Sequence, residues 1–232
     1  MNAHLLIDYY NLPQKLLNAG VESILKQLES MIDATSTDTE DMFVRLYGGW
    51  YTDRGLSRDG TVLSQGISRT FPLVSKLPAG VRRIHCEIAS SLIRLRGELF
   101  VATVREARGF ERLMRSLNPQ HCTLKPSCTI QGVVHWSRGG CPEPGCPVLA
   151  HEAFITQQQK LVDILIACDL LALAEAGNAS RVLLVSEDDD FIPALLQARS
   201  LGADVWHVRT KLGKRRLYDS VLNRQGIRIV TL

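Results

Sequence analysis

The stretch VLLVSEDDDFIPAL, residues 182–195, joins a short apolar run to four consecutive acids and a helical pattern. Short runs rich in Val, Leu and Ile are typical of buried strands in a parallel sheet. Acids that follow such a strand lie at the carboxyl end of the sheet, where open α/β folds bind their ligands. The stretch therefore predicts a strand, an acidic turn and a helix that begins near Phe191.

Similar apolar runs recur along the chain, with helical patterns between them. The predicted strands cover residues 4–8, 42–47, 181–186 and 204–208, with a final one at 227–231. Apolar residues three and four apart predict helices over 14–32, 154–175 and 191–201. Alternating strands and helices are typical of an α/β sandwich with a mostly parallel central sheet. We expect residues 1–232 to form a single domain of this class.

The composition narrows the class of protein. The chain has 232 residues, of which 45% are hydrophobic and 22% charged, and its net charge is +3. These values exclude collagen-like, coiled-coil and wholly disordered chains. The amino terminus has no pattern of a secretion signal, and the most apolar stretch, 161–176, contains three acids. We therefore expect a cytoplasmic protein with no membrane partner.

Acids elsewhere in the sequence are expected to lie close to those of the stretch at 182–195. Asp8 ends the first strand, with Asn11 three residues later, and Asp163 lies in the helix before the quoted stretch. If the first strand neighbours the strand at 181–186, Asp8 and Asp188 meet at one crevice. Carboxylates brought together repel one another unless a cation neutralises them, and Mg²⁺ or Mn²⁺ takes such oxygen ligands. The pattern predicts metal-assisted hydrolysis by in-line attack.

Each acid also has a structural explanation when it is taken alone. Asp8 is typical of a turn that ends a strand. Asp188 and Asp190 are both predicted caps of the helix that begins near Phe191, and Asp190 is favoured because it directly precedes that residue. Asp169 lies six residues after Asp163, roughly 120° around a helix, so the two cannot share one face. We expect Asp169 to hydrogen-bond its helix to the sheet.

Three motifs carry these acids: LLIDYYN at 5–11, KLVDILIACD at 160–169 and the stretch at 182–195. In order and relative spacing they resemble the NYN domain of the PIN-like nuclease superfamily. Its pattern is Asp-x-x-Asn after the first strand, Lys-x-Val-Asp in a helix and Ser-Gly-Asp-x-Asp-Phe after a later strand. The resemblance covers both ends of the chain and not its middle.

The resemblance implies a Rossmann-like PIN fold and metal-dependent endonucleolytic cleavage of RNA. The positions of the family's active-site residues are occupied by Asp8, Asn11, Asp163 and Asp188, with Asp190 beside them. The implied ligands of catalytic Mg²⁺ or Mn²⁺ are Asp8, Asp163 and Asp188.

One position departs from the family pattern, because Glu187 stands where the family usually has Gly. A bulky anionic side chain there would crowd the turn or add a carboxylate near the metal. The alternative function is therefore a weakly active or inactive RNA-binding adaptor of the same fold. Cleavage of DNA also stays open, since the choice of sugar depends on contacts to the 2′-hydroxyl.

Residues 87–151 interrupt the alternation of strands and helices. This segment contains five prolines and the cysteines Cys122, Cys128, Cys141 and Cys146. Clustered cysteines in a reducing compartment indicate zinc before disulfides, although both pairs are spaced more widely than usual, so free thiols are the alternative. We expect an insertion within the domain and a structural zinc module in it.

Basic residues cluster near the carboxyl end of the chain, within eight residues: Arg209, Lys211, Lys214, Arg215 and Arg216. Such a cluster suits a phosphate backbone, and a solvated surface is the alternative. We predict that these five residues bind RNA. A nuclease of this kind also needs control, by a regulatory protein partner or by restricted access of the substrate, and the oligomeric state is open.

Overall fold

The computed structural model describes residues 2–33, 41–77, 80–95, 102–108, 145–147, 155–177, 181–211 and 216–232. The chain divides into two compact units. The first comprises residues 1–103 and 159–232, and the second comprises residues 104–158. The predicted insertion at 87–151 and the second unit overlap without sharing boundaries.

Strands alternate with helices along the chain. The strands are β1 Asn2–Asp8, β2 Asp41–Tyr47, β3 Tyr51–Thr52, β4 Gly55–Leu56, β5 Leu73–Leu77, β6 Gly80–Ile88, β7 Val104–Arg108, β8 Ile155–Gln159, β9 Arg181–Val185, β10 Val205–Arg209 and β11 Arg228–Thr231. The α-helices are α1 Gln14–Ala19, α2 Val21–Asp33, α3 Arg58–Thr70, α4 Val162–Ala176, α5 Ile192–Ser200 and α6 Asp219–Arg224. Short 3-10 turns cover Tyr9–Asn11, Ile93–Leu95 and Asp189–Phe191. Within the described residues, no helix is long and apolar enough to cross a membrane.

The first unit is built on a seven-stranded sheet in the order β11-β10-β9-β1-β2-β6-β5. All neighbouring strands are parallel except β5 and β6. Strand β1 has β2 on one side and β9 on the other, so the direction of strand order reverses between β1 and β9. That reversal creates a crevice at the carboxyl ends of these two strands.

Both faces of this sheet are buried, as a parallel sheet requires. Successive side chains of β1 alternate between the faces: Leu5 and Ile7 pack in one cluster with Ile24 of α2, whereas Leu6 packs in the other with Ile166 of α4. Each strand is therefore fixed from both sides, which holds the carboxyl ends of β1 and β9 in place.

The α/β fold with a mostly parallel sheet is confirmed. Five predicted strands lie within two residues of β1, β2, β9, β10 and β11. The helix predicted over 14–32 is divided at Gly20, where φ is 81°. The helix predicted from residue 154 begins only at Val162, because residues 155–159 form a strand that pairs with β7.

The sequence analysis missed two strands of the central sheet, β5 and β6. The apolar pattern of β6 is broken by Arg82 and Arg83, although Arg82 is fully buried in the structure. Residue 87, where the insertion was predicted to begin, pairs with Arg45 of β2 inside the sheet.

Candidate active site

Asp8 ends β1 at the crevice between β1 and β9, and it is 6% exposed. Its Oδ2 accepts a hydrogen bond from Asn11 Nδ2 at 3.1 Å and another from Ser186 Oγ at 2.9 Å. Ser186 directly follows β9, which pairs with β1 in parallel. The predicted adjacency of these two strands is thus confirmed, and it brings both ends of the chain to one carboxylate.

The Ser186 hydroxyl connects the two strand ends. It donates to Asp8 and accepts from Asn11 Nδ2 at 3.2 Å and from the Asp188 backbone N–H at 3.1 Å. These bonds use the single donor and both acceptor positions of a hydroxyl. Sequence reasoning did not select Ser186 as a site residue, although it is the first residue of the motif that carries Asp188.

Asp163 lies in the first turn of α4, and its side chain is exposed. Leu161, just before this helix, has a φ of 65°, a left-handed conformation that costs a residue with a side chain roughly 1–2 kcal/mol. Backbone strain of this kind is often retained at functional sites. Leu161 stands between α4 and Lys160. The Lys160 backbone N–H donates to the Thr103 carbonyl at 2.9 Å.

The carboxylates of the site influence one another electrostatically. Burial raises the pKa of Asp8, and the charges of Asp163 and Asp188 raise it further, against the lowering effect of the Asn11 and Ser186 hydrogen bonds. Burial also raises the pKa of Asp163, followed by the charges of Asp188 and Asp190. The four acids that the sequence selected are therefore close enough to influence one another, and they form one acidic cluster.

The donors of this cluster are all oxygens, which is the ligand type that Mg²⁺ and Mn²⁺ take. Their mutual repulsion is the kind that a bound cation relieves. In the parts of the chain that the structure describes, however, no three His, Cys, Asp or Glu side chains are arranged as a set that could hold a metal ion. The chemistry of the donors fits a divalent cation, whereas their arrangement is not that of a closed ligand shell.

Asp188 caps the turn that follows it. Its Oδ1 accepts a hydrogen bond from the Asp190 backbone N–H at 3.0 Å, as the N-cap of the 3-10 turn Asp189–Phe191. Of the two acids predicted as possible caps, Asp188 and not the favoured Asp190 takes this role, because the turn begins at Asp189, two residues before the expected start at Phe191. Asp190 is exposed at the surface instead.

Glu187, the departure from the family pattern, binds the loop after β10. Its Oε1 accepts hydrogen bonds from the backbone N–H groups of Thr210 at 2.5 Å and Lys211 at 2.8 Å and from the Thr210 hydroxyl at 3.0 Å. Its Oε2 pairs with Arg216 Nη2. Burial opposes the charge, but these hydrogen bonds and Arg216 outweigh it, so the pKa of Glu187 is lowered. The Glu187 carboxylate is therefore bound by Thr210, Lys211 and Arg216, which lie in the basic segment after β10.

The basic residues predicted to bind RNA occupy different surroundings. Arg209 is 6% exposed, and its Nη2 lies 2.7 Å from Asp219 Oδ1. Arg216 contacts Glu187 and Asp189, while Lys211 is exposed. A guanidinium as buried as that of Arg209 offers little charge to solvent. Lys214 and Arg215 lie outside the described residues.

The predicted zinc ligands fall mostly outside the described residues. Cys122, Cys128 and Cys141 all lie in the undescribed range 109–144, and of the four only Cys146 is described, as a free thiol. Structural zinc in this segment stays a prediction.

Asp169 connects α4 to the sheet, as expected. Its Oδ2 accepts from Arg45 Nη1 at 2.5 Å and from the Tyr47 hydroxyl at 2.7 Å, and its Oδ1 accepts from the Ile93 backbone N–H at 2.8 Å. The carboxylate is fully buried, and these bonds satisfy both of its oxygens. Asp169 thereby fixes the helix that carries Asp163.

A buried histidine supports the Ser186 end of the site, and sequence reasoning missed it. His207 of β10 is fully buried, and its Nε2 lies 3.1 Å from the Ser186 carbonyl oxygen. Because a carbonyl only accepts, Nε2 carries the proton. Burial and then the charge of Arg209 lower the pKa of His207 to about 4, so the ring is neutral at physiological pH. A single histidine inside an apolar strand was the available signal.

Comparison with protein families gives a match to the NYN domain at residues 145–223. The matched region contains Asp163, Ser186, Asp188 and Asp190, whereas Asp8 and Asn11 lie outside it and reach the site through β1. Comparison with curated proteins and with solved structures gave no match.

The family match confirms the resemblance that the motifs carried. NYN domains are generally nucleases, and the family is associated with RNA. Residues 145–223 are thus similar to the NYN domain, a family of the PIN-like nuclease superfamily.

Proposed function

We propose that the protein is a metal-dependent endoribonuclease that hydrolyses RNA phosphodiester bonds at the cluster of Asp8, Asp163 and Asp188. The observation that carries the proposal is the burial of Asp8 at the crevice between β1 and β9, beside two further carboxylates that raise its pKa. A buried carboxylate with like charges around it is costly to maintain, so such clusters point to function. The NYN match supports hydrolysis of RNA at the level of the family.

In this proposal, Asp8, Asp163 and Asp188 hold Mg²⁺ or Mn²⁺. When bound, the ion supplies a Lewis acid that activates water and stabilises charge on the phosphate. Asn11 and Ser186 keep the Asp8 carboxylate in one orientation through their two hydrogen bonds to Oδ2. Asp163 is exposed, so its carboxylate is open to a substrate that enters the crevice. Asp190 adds negative charge at the rim.

The second candidate is an RNA-binding adaptor with the same fold and little or no turnover. It is favoured by the arrangement of the acids, because among the described residues no three of them are placed to hold a metal ion. Glu187 in place of Gly no longer argues strongly for this candidate, since its carboxylate is occupied by Thr210, Lys211 and Arg216. A cytoplasmic location and a regulatory protein partner or a second copy of the chain remain predictions.

Cleavage assays distinguish the two candidates. The unaltered protein and the Asp8→Asn and Asp163→Asn variants would be incubated with labelled RNA and DNA in Mg²⁺, Mn²⁺ or EDTA. Glu175→Gln is a matched control for Asp163→Asn, because Glu175 is an exposed acid near the other end of α4. We expect RNA cleavage that needs the metal, is lost in both Asp variants and persists in the control.

Other outcomes overturn the proposal in different ways. RNA binding without cleavage in every metal would favour the adaptor. Metal-dependent cleavage that survives in both Asp variants would move the active site elsewhere. Equal cleavage of DNA would keep the hydrolase and remove the restriction to RNA.

A further inference from the structure

An aromatic cluster begins directly after Asp8 in the chain, and the proposed hydrolysis does not use it. Tyr9 and Tyr10 directly follow Asp8, and Trp50 follows β2, which pairs with β1. The ring centroid of Tyr10 lies 5.2 Å from that of Trp50 and 5.7 Å from that of Tyr9, and Tyr9 and Trp50 are 5.3 Å apart. Three rings therefore pack together, two of them from the residues that directly follow the buried carboxylate.

Trp50 is the buried and fixed ring of this cluster. It is 1% exposed, and its Nε1 donates to the Leu46 carbonyl at 2.7 Å, while its backbone N–H donates to Thr103 Oγ1 at 3.0 Å. Gly48 leaves the space for the rings, because a Cβ there would lie 2.7 Å from the Trp50 ring and 2.9 Å from the Tyr10 ring. No other residue type fits at position 48 without moving one of them.

Tyr10 packs against Trp50 but is not covered by it. Its hydroxyl donates to Asp59 Oδ2 at 3.0 Å, which fixes the far end of the ring. The residue nevertheless stays 38% exposed, unlike Trp50 below it. A ring that served only packing would gain more from burial, since aromatic side chains contribute mainly through the area they remove from water. An anchored and exposed ring is instead suited to stack a planar ligand.

We propose that Tyr10 is a stacking site for a nucleobase next to the phosphate that the acidic cluster cleaves. The inference rests on the proposed function for the presence of RNA in the crevice. Aromatic side chains stack bases with little regard to sequence, because every base has a π-face. Tyr10 lies in the 3-10 turn that follows Asp8 at the end of β1, so we assign the stacked base to a nucleotide near the scissile bond. Tyr10 acts here as a positioning residue for the substrate.

The test couples the protein residue to one base. Binding of a short RNA, and of versions in which each nucleotide in turn is abasic, would be measured with Asp8→Asn protein to prevent turnover. The same series would be repeated with Tyr10→Leu and Tyr10→Phe added. We expect one abasic position to weaken binding about tenfold or more, the usual strength of a stacked base. That penalty should disappear with Tyr10→Leu and persist with Tyr10→Phe, which keeps the ring.

A second measurement does not depend on any Tyr10 variant folding. The RNA would carry 2-aminopurine at the sensitive position, and stacking on Tyr10 would quench its fluorescence when the protein binds. Abasic penalties that are identical in Tyr10→Leu and in the protein with Tyr10, or fluorescence that does not change on binding, would overturn the stacking site. If the unaltered protein cleaves no RNA while the coupling is present, the proposed hydrolysis fails and the stacking site stands.

Discussion

Arg45 of β2 and Asp169 of α4 form a buried ion pair, with Nη1 2.5 Å from Oδ2 and side chains that are 5% and 0% exposed. The Arg45 guanidinium also donates to the Ser91 carbonyl at 2.6 Å and lies 2.9 Å from Glu87 Oε1. The pair fixes α4 on the face of the sheet. The position of Asp163 therefore depends on a contact that Asp169 makes six residues further along the same helix.

Replacing Asp169 with Asn should destabilise the protein strongly. The change leaves the buried Arg45 without its main counter-charge, and breaking a buried pair in this way costs about 3–5 kcal/mol. Urea unfolding measures the loss. Glu175→Gln on the same helix is the control, because the Glu175 pair with Arg94 is about half exposed and should contribute under about 1 kcal/mol. Equal losses in the two variants would contradict the assignment.

Asp8→Asn should not destabilise the protein at neutral pH in EDTA. Because burial raises the pKa of Asp8 above 3.8, the folded state binds more protons than the unfolded state between 3.8 and the raised pKa. The free energy of unfolding thus falls as pH rises through that window, and the charge remains unfavourable above it. The melting temperature of the variant should equal or exceed that of the unaltered protein. Added Mn²⁺ should raise the melting temperature of the unaltered protein only.

His207→Gln should make stability less sensitive to acid. The folded pKa of His207 is lowered to about 4, from 6.5, so the unfolded state binds up to one more proton between these values. Stability is therefore lost as pH falls from 6.5 towards 4, by at most about 1.4 kcal/mol per pH unit from this group. Gln keeps a donor for the Ser186 carbonyl and does not titrate. Urea unfolding between pH 7 and pH 4.5 should give a shallower slope for the variant, and parallel slopes would show that His207 is not the source.

Glu187→Gly, which restores the family's residue, should release the loop after β10. The backbone N–H groups of Thr210 and Lys211 both donate to the Glu187 carboxylate, and hydrogen bonds to a charged group contribute about 1.5–3 kcal/mol. Amide hydrogen exchange at these two residues should accelerate at least about tenfold. Asp189→Asn is the control, since its contact with Arg216 is longer, at 3.3 Å, and more exposed. Unchanged exchange in Glu187→Gly would mean that other contacts hold the loop.

The elements that the sequence predicted correctly are those made mostly of apolar residues. Strands β1, β2, β9 and β10 are mostly apolar because both faces of the sheet are covered, and their carboxyl ends located Asp8 and Asp188. The same rule failed for β6, where Arg82 is fully buried inside the strand. From the sequence alone, a charged residue of that kind is predicted to lie at the surface.

The pairing of charged groups also escaped prediction, because it depends on tertiary contacts. Arg209 counted as a basic surface residue by its charge, yet Asp219 pairs with it from the start of α6. Glu187 stood out as a departure from Gly, but only the fold shows that the basic segment after β10 binds its carboxylate. The pattern of charges along a chain shows how many charged side chains there are, but not which of them form ion pairs.

The hydrogen bond between Ser186 and Asp8 spans 178 positions of the sequence. As the chain is synthesised, β1 leaves the ribosome long before β9 exists, and pairings between such distant segments are the slow ones in folding. Until Ser186 and Asp188 have been made, Asp8 has neither its hydroxyl donor nor its neighbouring carboxylate. A chain still being synthesised therefore carries the acids of the site only as separate, solvated side chains. The ribosomal and messenger RNA around it meets no assembled acidic cluster before residues 186–188 have been made.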